Sequence, residues 1–176
     1  MSDEAVRKEH LTGLDATEKV RSLLKQYRSA MLTTVIGHEL HTRPMGLQGK
    51  PEEFDGTLWF FADDRSRKVQ DIRGGAATSL IFQSDDADTY LHLNGRADVI
   101  RDRQKMEQLF TPIIKTWFPE GLDDPHLTLI KFDAARGDFW DSKAGMLQVL
   151  AAFAKAVVTG KPGAGGNMGD VTLNPS

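Results

Sequence analysis

The sequence predicts a mainly β protein, an antiparallel sheet curled into a barrel with helices flanking it. Three observations carry that prediction. About seven short apolar or alternating runs punctuate the chain between Ala30 and Trp140. Most are joined by hairpin-length connections, and closing such a sheet removes its exposed edges. The 176 residues are 40% apolar and 27% charged, a globular balance that suits one domain with its own core.

Taken in order, residues 1–14 are polar and read as a flexible N-terminus. A helix is expected over about 15–28, with Asp15 as N-cap, Glu18 completing an Asp-x-x-Glu capping box, and Val20, Leu23, Leu24 and Tyr27 at helical spacing. Ala30–Val35 is short, apolar and β-branched, and Gly37 ends it. A strand is expected near Thr42–Leu47. Leu58–Phe61 and Leu80–Phe82 are continuous apolar runs bounded by turn residues, as buried strands are. Tyr90–Ile100 alternates, with Leu91, Leu93, Gly95, Ala97 and Val99 on one face. Leu127–Phe132 and Gly137–Trp140 read as a late hairpin around Ala134-Ala135-Arg136. Three helical pieces interrupt the strands: Ser66–Arg73, ended by Gly74-Gly75; Arg101–Phe110, continuing past Pro112 to about Trp117; and Met146–Val158, whose apolar stripe is wide enough to serve a subunit contact. The domain thus covers 15–158. Residues 159–176 hold five glycines and two prolines and read as a flexible tail.

Several functions are excluded early. There is no cysteine, which removes disulfides, thiolate catalysis and iron–sulfur clusters. The formal net charge is −3 and the basic residues are interspersed with acidic ones, so no nucleic-acid face or membrane surface is expected. No apolar run reaches the roughly 20 residues of a membrane span. The polar, acidic start, with no basic stretch leading into an apolar run, points to a cytoplasmic protein. His38-Glu39-Leu40-His41 invites a metal, but on a strand its histidines face opposite sides, and no metal is expected. The Gly-rich stretch 159–166 lacks the order of a phosphate loop.

Three segments could carry chemistry. In Leu58-Trp59-Phe60-Phe61-Ala62-Asp63-Asp64-Arg65-Ser66-Arg67-Lys68 a buried strand ends and a helix opens on Ser66, Arg67 and Lys68. A helix start with a hydroxyl and two cations suits a phosphate; the plainer reading makes Ser66 an N-cap and leaves the cations solvated. In Thr42-Arg43-Pro44-Met45 an arginine precedes a proline within a strand, which fits a bulge beside a ligand or an edge strand with an exposed arginine. In Gly137-Asp138-Phe139-Trp140 an indole ends a late strand, where it stacks on a planar heterocycle or fills the core.

These segments, in this order, resemble the pyridoxamine 5′-phosphate oxidase-like family of FMN-binding split β-barrels, and within it the general stress proteins, over about residues 15–158. The resemblance implies a split barrel and a homodimer with flavin sites at the interface. It implies that Arg43, Ser66, Arg67 and Lys68 hold the FMN phosphate. It places Pro44 and Met45 against the flavin ring and Phe61 and Ala62 at the strand end beside it. Trp140 matches the tryptophan that reaches the flavin from the other subunit. Tyr90, five residues before Gly95, stands where the oxidases use a glutamine of the partner chain.

The departures matter too. Gln48 stands where the oxidases proper have a lysine, and after Phe139-Trp140 the chain lacks their Arg- and His-containing segment that grips the substrate phosphate. Pyridoxamine 5′-phosphate oxidase activity is therefore not expected, and no catalytic residue is assigned. Two roles remain: a flavin-binding stress protein without turnover of its own, or a flavin-dependent oxidoreductase acting on NAD(P)H or another small molecule.

Overall fold

The computed structural model describes residues 8–84, 88–141 and 167–173. Their strands are β1 (Lys8–Thr12), β2 (Ser29–Ile36), β3 (Glu39–Gly46), β4 (Thr57–Asp63), β5 (Ala77–Ser84), β6 (Thr89–Ile100), β7 (Leu127–Asp141) and β8 (Asn167–Thr172). The helices are α1 (Gly13–Leu24), α2 (Arg67–Arg73) and α3 (Arg103–Leu109). The sheet runs β1-β8-β7-β6-β5-β2-β3, with β4 also paired to β7. Every pair is antiparallel except β1 with β8.

The expected late hairpin is instead one 15-residue strand, β7. Along one edge it pairs with β6 throughout; on the other, Leu127–Asp133 pairs with β4 and Arg136–Asp141 with β8. Ala135 is the extra residue of a β-bulge, since Asn94 faces Arg136 while Gly95 faces Ala134. The bulge turns the strand without reversing it. Two glycines permit the close approach there: a Cβ on Gly95 would collide with the Asp133 carbonyl oxygen, and one on Gly137 with that of His92.

The sheet does not close into a complete barrel, in keeping with the split barrel that the family resemblance implies. β3 meets β4 only through the isolated bridge Gln48–Trp59. β4 and β8 share one edge of β7, so they part at the bulge and leave β4 as an outlying strand. The result is a split barrel with a seam between β3 and β4.

The continuous apolar run of β4 follows from its position between two cores. Leu58, Phe60 and Ala62 join the main cluster with Leu80, Phe82, Leu91, Leu93 and Phe132. Phe61 joins a second cluster with Met106, Leu109, Ile114, Leu127 and Leu129. A strand covered on both faces has no polar face to present. The run Leu80–Phe82, expected to be wholly buried, alternates instead: Leu80 and Phe82 are buried, whereas Ile81 is 45% exposed.

Other boundaries shift for local reasons. α1 begins at Gly13 and ends at Leu24, so Asp15 lies in its first turn rather than at the cap. Val20, Leu23 and Leu24 are buried as the spacing predicts. The helix expected from 101 to 117 breaks. α3 is capped by the Asp102 carboxylate, which accepts from the Lys105 N–H, and it ends before Phe110. Pro112 keeps Thr111 extended, and a 3-10 turn, Pro112–Thr116, follows. Both segments expected to be flexible ends contribute strands, because Lys8–Thr12 pairs with Met168–Thr172 and β8 in turn with β7. The helix expected over Met146–Val158 lies outside the described residues. No helix among the described residues is long and apolar enough to cross a membrane.

Candidate functional site

The seam between β3 and β4 opens into a cavity of about 620 Å³, within the range of roughly 300–1,000 Å³ common for small-molecule sites. Pro44 and Met45 of β3 form one wall, Phe61 and Ala62 of β4 another, and Lys68 of α2 stands at one end. Five of the ten residues singled out from the sequence thus meet around one space, drawn from three elements.

Proline is tolerated at position 44 because β3 is the edge of the sheet and that side has no ladder to satisfy. Lys68 follows from the strand–turn–helix sequence: β4 ends at Asp63, the turn 64–66 reverses the chain, and the first turn of α2 carries the lysine back over the seam. Among the described residues the Lys68 ammonium has no hydrogen-bond or ion-pair partner. Burial and the neighbouring Arg43 guanidinium pull it below the ordinary lysine value of 10.5, while the Asp63 carboxylate pulls the other way. A half-buried ammonium in a cavity, without a hydrogen-bond or ion-pair partner among the described residues, suits an anion.

The other three proposed phosphate ligands are arranged differently. Arg43 does not line the cavity but lies beside it, and its Nη1 donates to Thr34 Oγ1 at 2.7 Å and to the His41 carbonyl. Its Nη2 donates to Asp71 Oδ2 at 3.3 Å. Ser66 occupies the N-cap position of α2, yet its hydroxyl donates back to the Asp63 carbonyl at 2.6 Å rather than capping the helix. Arg67 turns outward, its Nη2 2.8 Å from His41 Nε2. Since arginine only donates, His41 Nε2 accepts there, which accounts for one of the two histidines of the His-x-x-His sequence without a metal.

Tyr90 and Trp140 lie elsewhere. They are cross-strand partners on β6 and β7, 39% and 43% exposed, and with Ile81 and His92 they line a shallow cavity of about 520 Å³ on the outer face of the sheet. Within one protomer they do not meet Lys68 around the seam.

The seam has walls that the sequence reading did not single out. Ile114, Trp117 and Phe118 close one side, and Trp117 is 67% exposed at the mouth. The signal available was the aromatic pair Trp117-Phe118, lying between the helix-breaking Pro112 and Pro119. Asp63 and Gln48 also face the space. Arg65 donates to both Asp63 carboxylate oxygens, at 2.7 and 3.1 Å, which holds that carboxyl down at about 2. Asp63, Asp64 and His126 bring possible metal-ligating atoms within 4.8 Å of one another. Their contacts are internal: Arg65 takes Asp63, and His126 Nδ1 lies 3.0 Å from Asp64 Oδ1.

With this geometry in place, similarity to known proteins becomes informative. The family described as pyridoxamine 5′-phosphate oxidase like matches residues 15–163. A general stress protein 26 structure from Jannaschia sp. CCS1 superposes with a TM-score of 0.74 at 25% identity, covering 90% of this chain and 99% of that one. A structure from Xanthomonas citri, described as a general stress FMN/FAD binding protein, superposes with a TM-score of 0.63 at 26% identity, covering 72% of this chain and 88% of that one. Protein bli-3 of Neurospora crassa is 23% identical over 113 residues, which are 60% of this chain and 54% of that protein, so the match spans about half its length. The family match extends over most of the sequence, the general stress protein structures share the fold, and the chain belongs to the pyridoxamine 5′-phosphate oxidase-like family.

Proposed function

We propose that the protein binds FMN non-covalently in the seam between β3 and β4, as a general stress-type flavoprotein without pyridoxamine 5′-phosphate oxidase activity. The observation that carries this reading is Lys68, a partly buried ammonium without a partner among the described residues, at one end of a 620 Å³ cavity with apolar walls. A phosphate offsets that charge, and a flat heterocycle fits against Pro44, Met45, Phe61 and Ala62. Arg43, with two N–H groups uncommitted among the described residues, adds a second cation beside the first. Ser66 and Arg67 reach the phosphate only by exchanging their present partners, so they contribute less. Bound flavin supplies the capacity to accept and release electrons; the protein supplies position, charge and exclusion of water.

Two such sites form in a two-fold dimer in which Tyr90 and Trp140 of one protomer cover the flavin of the other. Their exposure on the outer face of the sheet, beside Met31 and Ile81 at 40% and 45%, supports this arrangement. Against pyridoxamine phosphate stands the lining itself. Lys68 is the one cation among the described residues that line the cavity, and in this reading it and the neighbouring Arg43 go to the FMN phosphate, so a second phosphate finds no counter-charge.

The test is a pair of titrations on the purified protein with FMN and with riboflavin. FMN is expected to bind at least tenfold tighter, the worth of one or more charge-assisted hydrogen bonds of about 1.5–3 kcal/mol. Equal affinities would remove the phosphate assignment. Incubation of the FMN-loaded protein with pyridoxamine 5′-phosphate and oxygen is expected to yield no pyridoxal phosphate at ordinary enzymatic rates of about 1 per second or faster.

A further inference from the structure

We infer that Asp71 is the positioning residue of the anion site: it holds the Arg43 guanidinium with one fork free while touching nothing in the cavity itself. The inference rests on the phosphate reading above and concerns a carboxylate which that reading does not use. Asp71 lies in α2, three residues after Lys68 and between Val69 and Ile72, on the face packed against the sheet. Carboxylates are rarely buried without a partner. Asp71 is 9% exposed, and its Oδ2 accepts from the Thr34 hydroxyl at 2.8 Å and from Arg43 Nη2 at 3.3 Å. Thr34 is wholly buried, and the same hydroxyl accepts from Arg43 Nη1 at 2.7 Å. Three side chains from β2, β3 and α2 thus close a triangle.

The triangle has a direction. Thr34 and Asp71 are bonded to each other, so they occupy the end of the guanidinium between Nη1 and Nη2. The His41 carbonyl takes the remaining Nη1 proton. What is left among the described residues is Nε–H and one Nη2–H, the side fork whose spacing matches two oxygens of one phosphate. An arginine free to swing loses rotamer entropy each time it binds, whereas one held by a buried carboxylate does not. Asp71 also pairs with Arg43, the cation that presses on Lys68, so part of that guanidinium's charge is met within the fold before any ligand arrives.

The experiment compares wild type, Asp71→Ala and Asp71→Asn for FMN and riboflavin affinity by flavin fluorescence, with a thermal melt of each. Asp71→Ala releases Arg43 and is expected to weaken FMN by about tenfold while changing riboflavin less than about twofold. Asp71→Asn keeps an oxygen that accepts from Thr34 and Arg43, and is expected to stay within about threefold of wild type for FMN. In an Arg43→Met background, Asp71→Ala is expected to cost FMN nothing further. If Asp71→Ala does not fold, Thr34→Val carries the test, because it deletes only the shared hydroxyl; it is expected to lower the FMN-to-riboflavin preference in the same direction. An FMN preference in wild type that survives Asp71→Ala or Thr34→Val unchanged overturns the role of Asp71. So does tighter FMN binding by Asp71→Ala, an equal loss for both ligands, or a further loss in the Arg43→Met background. Equal binding of FMN and riboflavin by wild type overturns the phosphate reading itself, and this inference with it.

Discussion

Lys68 and Asp63 face the same cavity with opposite charges, and their neighbours treat them differently. Asp63 is already tied to Arg65, while Lys68 has no such partner among the described residues. Lys68→Ala is therefore expected to weaken FMN by about tenfold or more and riboflavin far less, as titration of the variant will show. The same group sets a pH dependence. The protonated ammonium is the form that binds phosphate, and its pKa in the free protein lies below 10.5. FMN affinity is thus constant at neutral pH and begins to fall, as pH rises, below that ordinary lysine value; riboflavin affinity does not follow it. Parallel titrations across alkaline pH check the sign. For Asp63, the cause of the low pKa is the Arg65 side chain, so Arg65→Ala is expected to move the carboxyl up from about 2 toward 3.8, read by NMR titration.

At the scale of elements, the β6–β7 crossing carries the most weight. The bulge at Ala135 and the glycines opposite and beyond it let one long strand serve β4 and β8 in turn, and that division opens the seam. Gly95→Ala places a Cβ against the Asp133 carbonyl, the Phe132 ring and Ala134 Cα, all in a packed ladder. The variant is expected to lose about 1–3 kcal/mol of stability, measured by urea unfolding, since the backbone has little room to retreat. α2 is a second element with two duties. One turn of it sends Lys68 into the cavity and Asp71 onto Arg43, so its docking against β2 and β3 and the geometry of the anion site are one event.

At the scale of the whole molecule, the outer face of the sheet is the unfinished surface. Met31 pairs with Ile81, and Tyr90 with Trp140, in neighbouring rows, all four 39–45% exposed. Ile81→Glu sets a charge in the middle of that apolar patch and leaves the seam untouched. If the proposed dimer forms, the variant is expected to be a monomer by light scattering and to bind flavin more weakly in the same preparation, because in that proposal the covering aromatics come from the partner. A variant with the mass of wild type at micromolar concentration would sink the dimer.

The amino-acid sequence by itself determined where β2 to β6 lie, most of the core and the segments that meet at the seam. Alternation at Tyr90–Ile100, the doubly covered run of β4 and the strand–turn–helix into Lys68 depend on neighbours within a few residues, and such patterns are legible in one dimension. It did not determine how β7 is used. A bulge and a hairpin begin with the same small residues, and only the partners on each edge tell them apart. The short terminal strands were equally illegible, since each is stabilised by a segment about 160 residues away. The tertiary structure alone decided which cations are free. Ser66, Arg67, Lys68 and Arg43 read alike as phosphate ligands, but in space Ser66 turns to a carbonyl, Arg67 to His41 and Arg43 to Asp71, while Lys68 makes no direct hydrogen bond or ion pair among the described residues. Hydrogen-bond partners are assigned by packing, and packing brings together residues that the chain keeps far apart.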